Sequence, residues 1–392
     1  MSIVVSVLKE NRGHEKRVAL DPEVTKKLVK NDFEVLIEAG AGKLALFADA
    51  DYEKAGGKIV DRQTALTQGN IVVVVNEPGD DTLAALKSGQ IIIGLLSALL
   101  VPDKIQRLAD AKVTAISCEL LPRTVSRSQA MDVLSSQASI AGYKATLLAS
   151  NLYAKYFPMM ITAAGTVKPA KVLVLGTGVA GLQAIGTAKR LGTVVSGYDV
   201  RAASKGEVES LGATFLTSTV ANGAGTGGYA RELTTEEHQA QQAELAGFIA
   251  QNDIIITTAQ VPGRKPPLLV PQTSVDQAQA GTIFIDLAAS DLGGNVASSQ
   301  PFATVTTAQG ALIVGASNLA SELSNSASQL FAKNVQSIIN AFMVDGAIQI
   351  DPTDEVFKGL LATIDGEIIN ARLRKIMNLP DLAEPKVAEG VH

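Results

Sequence analysis

The sequence predicts an α/β protein with two doubly wound parallel-sheet (Rossmann-like) domains, joined by long helices with a cleft between them. Three observations lead to this fold class. Strand-length apolar runs alternate with helical stretches in two successive series, which is typical of parallel sheets covered by helices. One strand of the second series runs into a glycine-rich turn. The chain has 392 residues, which is enough for about two domains of roughly 100 to 200 residues each.

The first domain is predicted to comprise residues 1–136 together with residues 318–392. Its strand-length apolar runs are Ile3–Leu8, Val35–Ile37, Ile71–Val75, Ile91–Leu96 and Val113–Ile116. Helices are expected between them. Pro22–Lys30 is the clearest, because Asp21 suits an N-cap and Pro22 suits the first helical position. We expect these runs to form one parallel sheet.

The second domain, residues 137–317, is predicted to begin within a long helix over Ser135–Tyr156. Its strands are expected at Lys171–Leu175, Val194–Asp199, Ala213–Leu216, Asp253–Thr258, Ile283–Leu287 and Leu312–Val314. After them, apolar spacing predicts a helix over Leu319–Met343 and another over Leu360–Leu373, with no further strands. These last helices are expected to pack on the first domain.

Composition excludes several classes of function. The net charge of −5 and the absence of Trp disfavour a nucleic-acid surface, which needs cationic patches and stacking rings. The longest apolar run, Ile91–Val101, is shorter than the roughly 20 residues of a membrane-spanning helix. Cys118 is the single cysteine, no Cys/His cluster has metal-ligand spacing, and no leader is recognisable. We therefore predict a soluble cytoplasmic chain without a disulfide or a metal site.

The segment KVLVLGTGVAG carries the clearest chemical signal. In a strand–turn–helix unit, Gly176 makes the tight turn, Gly178 lets a pyrophosphate approach the backbone, and Gly181 allows close helix packing. Asp199 ends the next predicted strand, where a carboxylate binds the adenosine ribose hydroxyls and repels a 2′-phosphate. The motif predicts an NAD(H) site. NADP(H) stays open as an alternative because Arg201 is available to pair with a 2′-phosphate.

Other catalytic groups are scarce. His14, His238 and His392 lie in polar stretches, where a solvated side chain is the simpler interpretation. The segment PRTVSRSQAMDVLSS, residues 122–136, has polar side chains that either cap the following helix or point into the cleft. Thr217–Gly228, made of small residues, is either a mobile flap or an ordinary surface loop. Pro262–Pro267 is a stiff turn after a predicted strand end.

Over nearly its whole length the sequence resembles the NAD-binding component (domain I) of proton-translocating NAD(P) transhydrogenases, which is similar in fold to alanine dehydrogenase. The segments that carry the resemblance are SRSQAMDVLSSQASIAGYKA, MITAAGTVKPAKVLVLGTGVAGLQAIGTAKRLG, YDVRAASKGEVESLGA, GGYAREL and ITTAQVPGRKPPLLV. The resemblance implies an oxidoreductase subunit that holds NADH and passes hydride directly to NADP bound on a partner beta subunit. Proton translocation by a membrane subunit would be coupled to this transfer.

The resemblance also implies how the subunit is organised. It implies a homodimer that lies peripherally on the cytoplasmic face of the membrane, beside separate partner subunits. Direct transfer between two nicotinamides needs no acid, base or metal from this chain, so the protein's task is to position the nucleotide.

Particular site residues follow from the resemblance. Arg123, Gln129, Asp132 and Ser135 are expected to position the nicotinamide, and Tyr229 to lie on a mobile loop over the nucleotide. Arg127 is the alternative to Arg123, because the chain has one extra residue between Arg123 and Gln129. The positions expected to contact the cofactor are Arg127, Ala130, Met131, Gly176, Thr177, Gly178, Val179, Ala180, Gly181, Asp199, Val200, Arg201, Gly228, Gln242, Ala259 and Gln260.

Two other functions stay open at this point. An alanine dehydrogenase-like amino acid dehydrogenase would use Arg17, in EKRVAL, as its substrate arginine. However, Asn76 stands where that family has a lysine, and the expected histidine is absent from GLLSALL, so the acid–base groups for such a substrate are missing. A non-catalytic NAD-sensing regulator is the third alternative. Assays with NAD and alanine, and with an NADP-loaded partner, distinguish the three.

Overall fold

The computed structural model describes residues 2–219, 233–261 and 263–382. The chain forms two compact units. The first contains Met1–Asn11, Arg17–Val133 and Phe331–His392, and the second contains Arg12–Lys16 and Leu134–Leu330. The second boundary differs from the predicted 317/318, because Leu319 and Ala320 pack in clusters of the second unit, whereas Phe331 and the residues after it pack in the core of the first.

The N-terminal part of the first unit alternates strands and helices. The elements are β1 (Val4–Val7), α1 (Pro22–Lys30), β2 (Glu34–Glu38), α2 (Asp49–Lys54), β3 (Lys58–Val60), α3 (Arg62–Gln68), β4 (Ile71–Asn76), α4 (Asp80–Ala85), β5 (Ile91–Leu95), α5 (Pro102–Asp110) and β6 (Thr114–Ser117). The strands run parallel in the order β3-β2-β1-β4-β5-β6. As predicted, Asp21 caps α1, since its Oδ1 accepts a hydrogen bond from the Val24 amide at 2.8 Å.

The second unit contains the glycine-rich turn. Its elements are α6 (Val133–Leu152), β7 (Met160–Thr162), β8 (Gly165–Val167), β9 (Lys171–Leu175), α7 (Val179–Arg190), β10 (Val194–Asp199), α8 (Lys205–Ser210), β11 (Thr214–Thr217), α9 (Thr235–Ile249), β12 (Ile254–Thr257), α10 (Gln272–Asp276), β13 (Ile283–Asp286), β14 (Thr304–Thr306), β15 (Leu312–Gly315) and the first part of α11 (Ser324–Ala341). The boundary after Leu330 divides α11, and the boundary after Val133 leaves the first residue of α6 in the first unit. The main sheet has the order β11-β10-β9-β12-β13-β15-β14, with only β14 antiparallel. The predicted fold class, two doubly wound parallel α/β sheets, is confirmed.

The C-terminal segment corrects one prediction. It contains β16 (Met343–Val344), β17 (Ala347–Ile348), α12 (Glu355–Leu360), β18 (Leu361–Ile364), β19 (Glu367–Ile368) and α13 (Ala371–Ile376). The helix predicted over Leu360–Leu373 is therefore wrong, because β18 pairs antiparallel with β6 and extends the first sheet. The signal was Asp365-Gly366, whose positive φ angles of 52° and 86° form the tight turn to β19.

Both faces of the second sheet are buried. Val172 and Val174 of β9 lie in one apolar cluster and Leu173 and Leu175 in another, which is typical of a parallel strand covered by helices on both sides. Helix α6 packs closely on α7 at Gly142, where a Cβ would lie 2.0 Å from the Ala180 carbonyl oxygen. Across the three described ranges, no helix combines the length and apolarity needed to cross a membrane.

Candidate functional site

The glycine-rich turn connects β9 to α7. Gly176 has φ of +94°, a conformation that favours glycine, and a Cβ at Gly181 would lie 1.9 Å from the Gly176 carbonyl oxygen. That oxygen accepts a hydrogen bond from Thr258 Oγ1 at 2.9 Å. Gly178 is the N-cap residue of α7, so Val179, Ala180 and Gly181 form the first helical turn. Its backbone N–H groups lack partners within the helix, an arrangement suited to a pyrophosphate.

The strand order places this turn at a topological switch point. Strand β9 lies between β10 on one side and β12 on the other. In such sheets the crevice for a ligand opens at the carboxyl ends of the two strands where the order reverses. The residues at this edge are therefore those that end or follow β9, β10 and β12, which include Gly176, Asp199 and Ala259.

Asp199, at the end of β10, is buried and extensively hydrogen-bonded. Its Oδ2 accepts from the Thr177 amide at 2.8 Å and from Thr177 Oγ1 at 3.1 Å. Its Oδ1 accepts from the Arg201 amide and from Arg201 Nε, both at 2.9 Å. Burial alone would raise the pKa of Asp199, but the hydrogen bonds and charge of the Arg201 guanidinium, with the Thr177 amide, lower it below its usual value. The carboxyl group is therefore ionised at neutral pH.

Arg201 is paired, not solvated. Its Nη2 lies 2.8 Å from Asp199 Oδ2, and only 23% of its side chain is exposed. A Cβ at Gly178 would have Arg201 Nη2 as its nearest neighbour, at 4.0 Å. The guanidinium thus lies beside both the Asp199 carboxylate and the glycine turn, while Val200 packs partly against the core.

The other predicted cofactor residues that the structure describes in this unit are Ala259 and Gln260, after β12, and Gln242, on α9. The Ala259 amide donates to Asn295 Oδ1 at 3.0 Å, and Gln260 Nε2 donates to the Leu287 carbonyl at 3.1 Å. Gln242, on α9, donates through Nε2 to the Leu268 carbonyl at 2.6 Å. Ala259 and Gln260 come just after Thr258, the first residue beyond β12, so they lie at the switch-point edge.

Some predicted residues lie outside the described ranges. These are Gly228, Tyr229, most of the predicted flap Thr217–Gly228, and Pro262 at the start of the predicted stiff turn. The first residues of the flap segment are described. Thr219 donates through its amide and Oγ1 to Glu244 Oε1, both at 2.8 Å, and Glu244 Oε2 accepts from the Tyr198 hydroxyl at 2.9 Å.

In the first unit, residues 122–132 form a loop that contains a short 3-10 helix, Ser126–Met131, and is held partly by its own side chains. Arg123 Nε donates to Asp132 Oδ2 at 3.1 Å, and both side chains are mostly buried. Ser128 Oγ hydrogen-bonds to the carbonyls of Pro122 and Val125 at 2.8 and 2.7 Å. The charges of Arg123 and Asp132 are therefore paired with each other, which the helix-cap interpretation with solvated charges does not account for.

Arg127 has a different environment from Arg123. Its guanidinium pairs with Asp354, whose Oδ1 caps α12 through the amides of Val356 and Phe357. The Arg127 side chain is 57% exposed. Arg123 is thus the arginine that contacts Asp132, and Arg127 joins the loop to α12.

The remaining loop residues divide into anchors and exposed positions. Met131 is buried in the core of the first unit, and the Ala130 carbonyl accepts from Asn334 Nδ2 at 2.8 Å. Gln129 is exposed. Ser135, on α6, is partly buried and belongs to the second unit.

Asn76 bears on the amino acid dehydrogenase alternative. Its Nδ2 donates to Glu10 Oε2 at 3.2 Å, and Glu10 Oε1 accepts from the Val75 amide at 2.6 Å. An amide bound in this way has no proton to transfer near neutral pH. Arg17 is buried, with 6% of the residue exposed.

The described ranges contain no group of His, Cys, Asp or Glu residues arranged to hold a metal ion. Cys118 is buried, and burial raises the pKa of its thiol, which makes it a poor nucleophile. Neither the described His, Cys, Asp and Glu residues as a metal site nor Cys118 as a nucleophile offers an alternative to the glycine turn as a chemical site.

Comparisons with known proteins identify the family of this chain. Residues 6–141 match the family described as Alanine dehydrogenase/PNT, N-terminal domain, and residues 145–371 match Alanine dehydrogenase/PNT, C-terminal domain. The chain belongs to the alanine dehydrogenase/PNT family. This confirms the family resemblance predicted from the sequence.

Within the family, the chain is similar to proteins named as the first part of NAD(P) transhydrogenase subunit alpha. It is 40% identical to that of Rickettsia prowazekii, over 95% of this chain and 97% of the relative. It is 41% identical to that of Rhodospirillum rubrum, over 94% and 98%. A crystal structure of transhydrogenase from Sinorhizobium meliloti is 37% identical and covers 94% of this chain and 99% of its own, with a TM-score of 0.81.

Three residues that shape the site in this family member were not predicted from the sequence. Thr258 holds the glycine turn, buried Asp286 accepts from Thr257 at the end of β12, and buried Asn295 contacts Ala259 after it. Thr258 was recognisable as the last residue of a predicted strand at the switch point. Asp286 and Asn295 carry no local signal, because their partners lie 29 and 36 residues away in the chain.

Proposed function

We propose that this chain is the NAD(H)-binding alpha subunit of a proton-translocating NAD(P) transhydrogenase. The observation that carries the proposal is the glycine turn at the switch point with ionised Asp199 beside it. The relatives, which match over nearly their whole length, are named for the same subunit. The subunit would hold NADH while hydride passes from its nicotinamide C4 to that of NADP bound on a partner subunit.

Different groups of the protein would bind different parts of the nucleotide. The N–H groups of the first turn of α7 suit the pyrophosphate, and the Asp199 carboxylate suits the adenosine ribose hydroxyls. A 2′-phosphate would bring like charge close to Asp199. The chain should therefore bind NADH in preference to NADPH.

The rate of hydride transfer would depend only on how the two nicotinamides are positioned. Hydride transfer needs donor and acceptor carbons roughly 3 to 3.5 Å apart, and the products, NAD and NADPH, require no proton from this chain. The polar 122–132 loop, with Gln129 exposed and Asp132 fixed by Arg123, is proposed to set the nicotinamide in place together with Ser135 and Tyr229.

The proposed partners follow from the family. A beta subunit would hold NADP, and a membrane subunit would translocate protons. This chain would lie on the cytoplasmic face of that membrane subunit. We also propose that the chain forms a homodimer, which its mass in sedimentation equilibrium would show.

The amino acid dehydrogenase alternative has less support. Such an enzyme must move a proton as well as a hydride, yet the position of its lysine holds the Asn76 amide, bound to Glu10. The chain with NAD and alanine should therefore show no turnover. Measurable alanine oxidation would make that alternative the better account.

The decisive experiment supplies the chain with NADH and adds partner subunits loaded with thio-NADP, whose reduced form absorbs at a longer wavelength than NADH. Formation of reduced thio-NADP that requires this chain is the expected result. Tight NADH binding without transfer in the complete mixture would instead favour an NAD-sensing regulator. Failure to bind NADH would overturn the whole proposal.

A further inference from the structure

Asn295 is a fully buried side chain that joins three segments at the switch-point edge of the second unit. Its Oδ1 accepts from the Ala259 amide at 3.0 Å, and its Nδ2 donates to the Ala259 carbonyl at 2.9 Å. The same Nδ2 donates to the Pro267 carbonyl at 2.8 Å. One amide group therefore holds both backbone polar groups of Ala259 and ties that residue to Pro267.

Asn295 is itself held rigidly. Its own carbonyl accepts from the amides of Leu269 and Val270, both at 2.9 Å. The next residue is fixed by fully buried Asp286, whose Oδ2 accepts from the Val296 amide at 3.1 Å and whose Oδ1 accepts from Thr257 Oγ1 at 3.0 Å. At Gly294 a Cβ would lie 2.2 Å from Asp286 Oδ2, so only glycine fits beside the carboxylate.

The position of Ala259 indicates what the hydrogen bonds of Asn295 do for a bound nucleotide. A dinucleotide at the switch point has its pyrophosphate at the glycine turn and its adenosine ribose at Asp199, on the β10 side. Its other half must then lie on the opposite side of β9, over the end of β12. The first backbone there is Thr258 to Gln260. Because the Ala259 amide is taken by Asn295, this segment presents a fixed surface instead of a free donor.

We propose that Asn295 is a positioning residue for the nicotinamide half of the bound nucleotide, acting through the backbone of Ala259. This inference rests on the proposed NAD(H) function. It assigns to Asn295 no contact with the nucleotide itself. Loss of its two N–H donors would leave the Ala259 and Pro267 carbonyls without partners and release the segment after β12.

The test compares NADH with ADP, which carries the adenosine and pyrophosphate but no nicotinamide half. The variant Asn295→Asp keeps the shape and the acceptor but removes both donors. The matched control is Asn252→Asp, just before the amino end of β12, where Nδ2 donates to the Phe248 carbonyl at 2.8 Å. Dissociation constants for both ligands are measured by calorimetry, with thermal unfolding recorded for each protein.

Asn295→Asp should raise the dissociation constant for NADH about tenfold while changing that for ADP less than about twofold. Asn252→Asp should change neither. Equal loss for NADH and ADP would show a merely structural role and overturn the inference, as would unchanged NADH binding. If the unmodified chain binds neither ADP nor NADH, the proposed function fails instead.

A milder variant covers the case in which Asn295→Asp does not fold. Asn295→Ser keeps one hydroxyl and adds no charge, and it should show the same selective loss for NADH. If neither variant folds, the Asn295 side-chain amide resonances of the unmodified chain decide the matter. They should shift with NADH and not with ADP, and an absent or equal shift would overturn the inference.

Discussion

Arg201 and Asp199 form a two-point ion pair at the end of β10, with Nε bound to Oδ1 at 2.9 Å and Nη2 to Oδ2 at 2.8 Å. The pair has two consequences. It keeps a largely buried carboxylate ionised, and it places a guanidinium where the adenosine ribose is proposed to bind. Ribose hydroxyls and the guanidinium therefore compete for the same carboxylate oxygens.

The first prediction concerns Asp199→Ala. The variant should weaken NADH binding about tenfold, since a hydrogen bond to a charged group contributes about 1.5 to 3 kcal/mol. It should also narrow the preference for NADH over NADPH, because the variant no longer repels a 2′-phosphate and Arg201 is released from its ion pair with Asp199. Titration of NADH and NADPH fluorescence measures both effects. Asp253→Asn, which alters a carboxylate at the amino end of the sheet, is the control and should bind both cofactors normally.

Arg201→Ala should have the opposite effect on specificity. Without the guanidinium a 2′-phosphate has no cationic partner beside Asp199, so NADPH binding should weaken more than NADH binding. Lys205→Ala removes an exposed positive charge that lies 3.9 Å from Glu209, and it serves as the control for the change in net charge. An Arg201→Ala protein that binds NADPH more tightly than the unmodified chain would contradict this role.

The lowered pKa of Asp199 predicts a pH dependence of stability. A carboxyl group whose folded pKa is lowered stabilises the fold above its unfolded pKa of about 3.9, and this contribution is lost as the pH falls through the folded pKa. Asp199→Asn should therefore reduce the free energy of unfolding at neutral pH by about 3 kcal/mol, as expected when a buried ion pair loses one partner. Urea unfolding of both proteins at several pH values should show this difference shrinking below about pH 4. A difference that stays constant into acid would exclude Asp199 as its source.

The 122–132 loop should affect hydride transfer more than affinity. Gln129→Ala, Asp132→Ala and Arg123→Ala should each slow single-turnover transfer to partner-bound thio-NADP at least about tenfold, since a misplacement of about 1 Å can cost on the order of 10²-fold. The NADH dissociation constant should change only a few-fold, because the pyrophosphate and adenosine are bound elsewhere.

Arg127→Ala is the internal control for that series. Arg127, whose side chain is 57% exposed, pairs with Asp354, and ion pairs of exposed side chains contribute about 0 to 1 kcal/mol to stability. The Arg127→Ala variant should therefore transfer hydride at close to the normal rate. A rate loss with Arg127→Ala and not with Arg123→Ala would reverse the assignment of the two arginines.

The glycine turn and the parallel strands could be predicted because their signals are local. Gly176, Gly178 and Gly181 follow one another within six residues, and each strand is a short apolar run. The C-terminal run Leu361–Ile364 shows the limit of this approach, because a short apolar stretch suits a helix as well as a strand. Leu361–Ile364 is a strand because it pairs with β6, some 250 residues earlier in the chain. Asp365-Gly366 was a local sequence signal for the hairpin turn that follows.

By itself, the sequence determined the fold class and the glycine turn, since these depend on periodicity and on residue types at fixed spacing, and its resemblance to known sequences over long segments indicated the family. Only the tertiary structure decided which groups meet. Nothing in the spacing of Arg127 and Asp354, which are 227 residues apart, distinguishes Arg127 from Arg123. The partners of Asn295, Ala259 and Pro267, are likewise 36 and 28 residues away in the chain. Such contacts depend on how separate segments pack together, and a linear pattern of residue types does not contain that information.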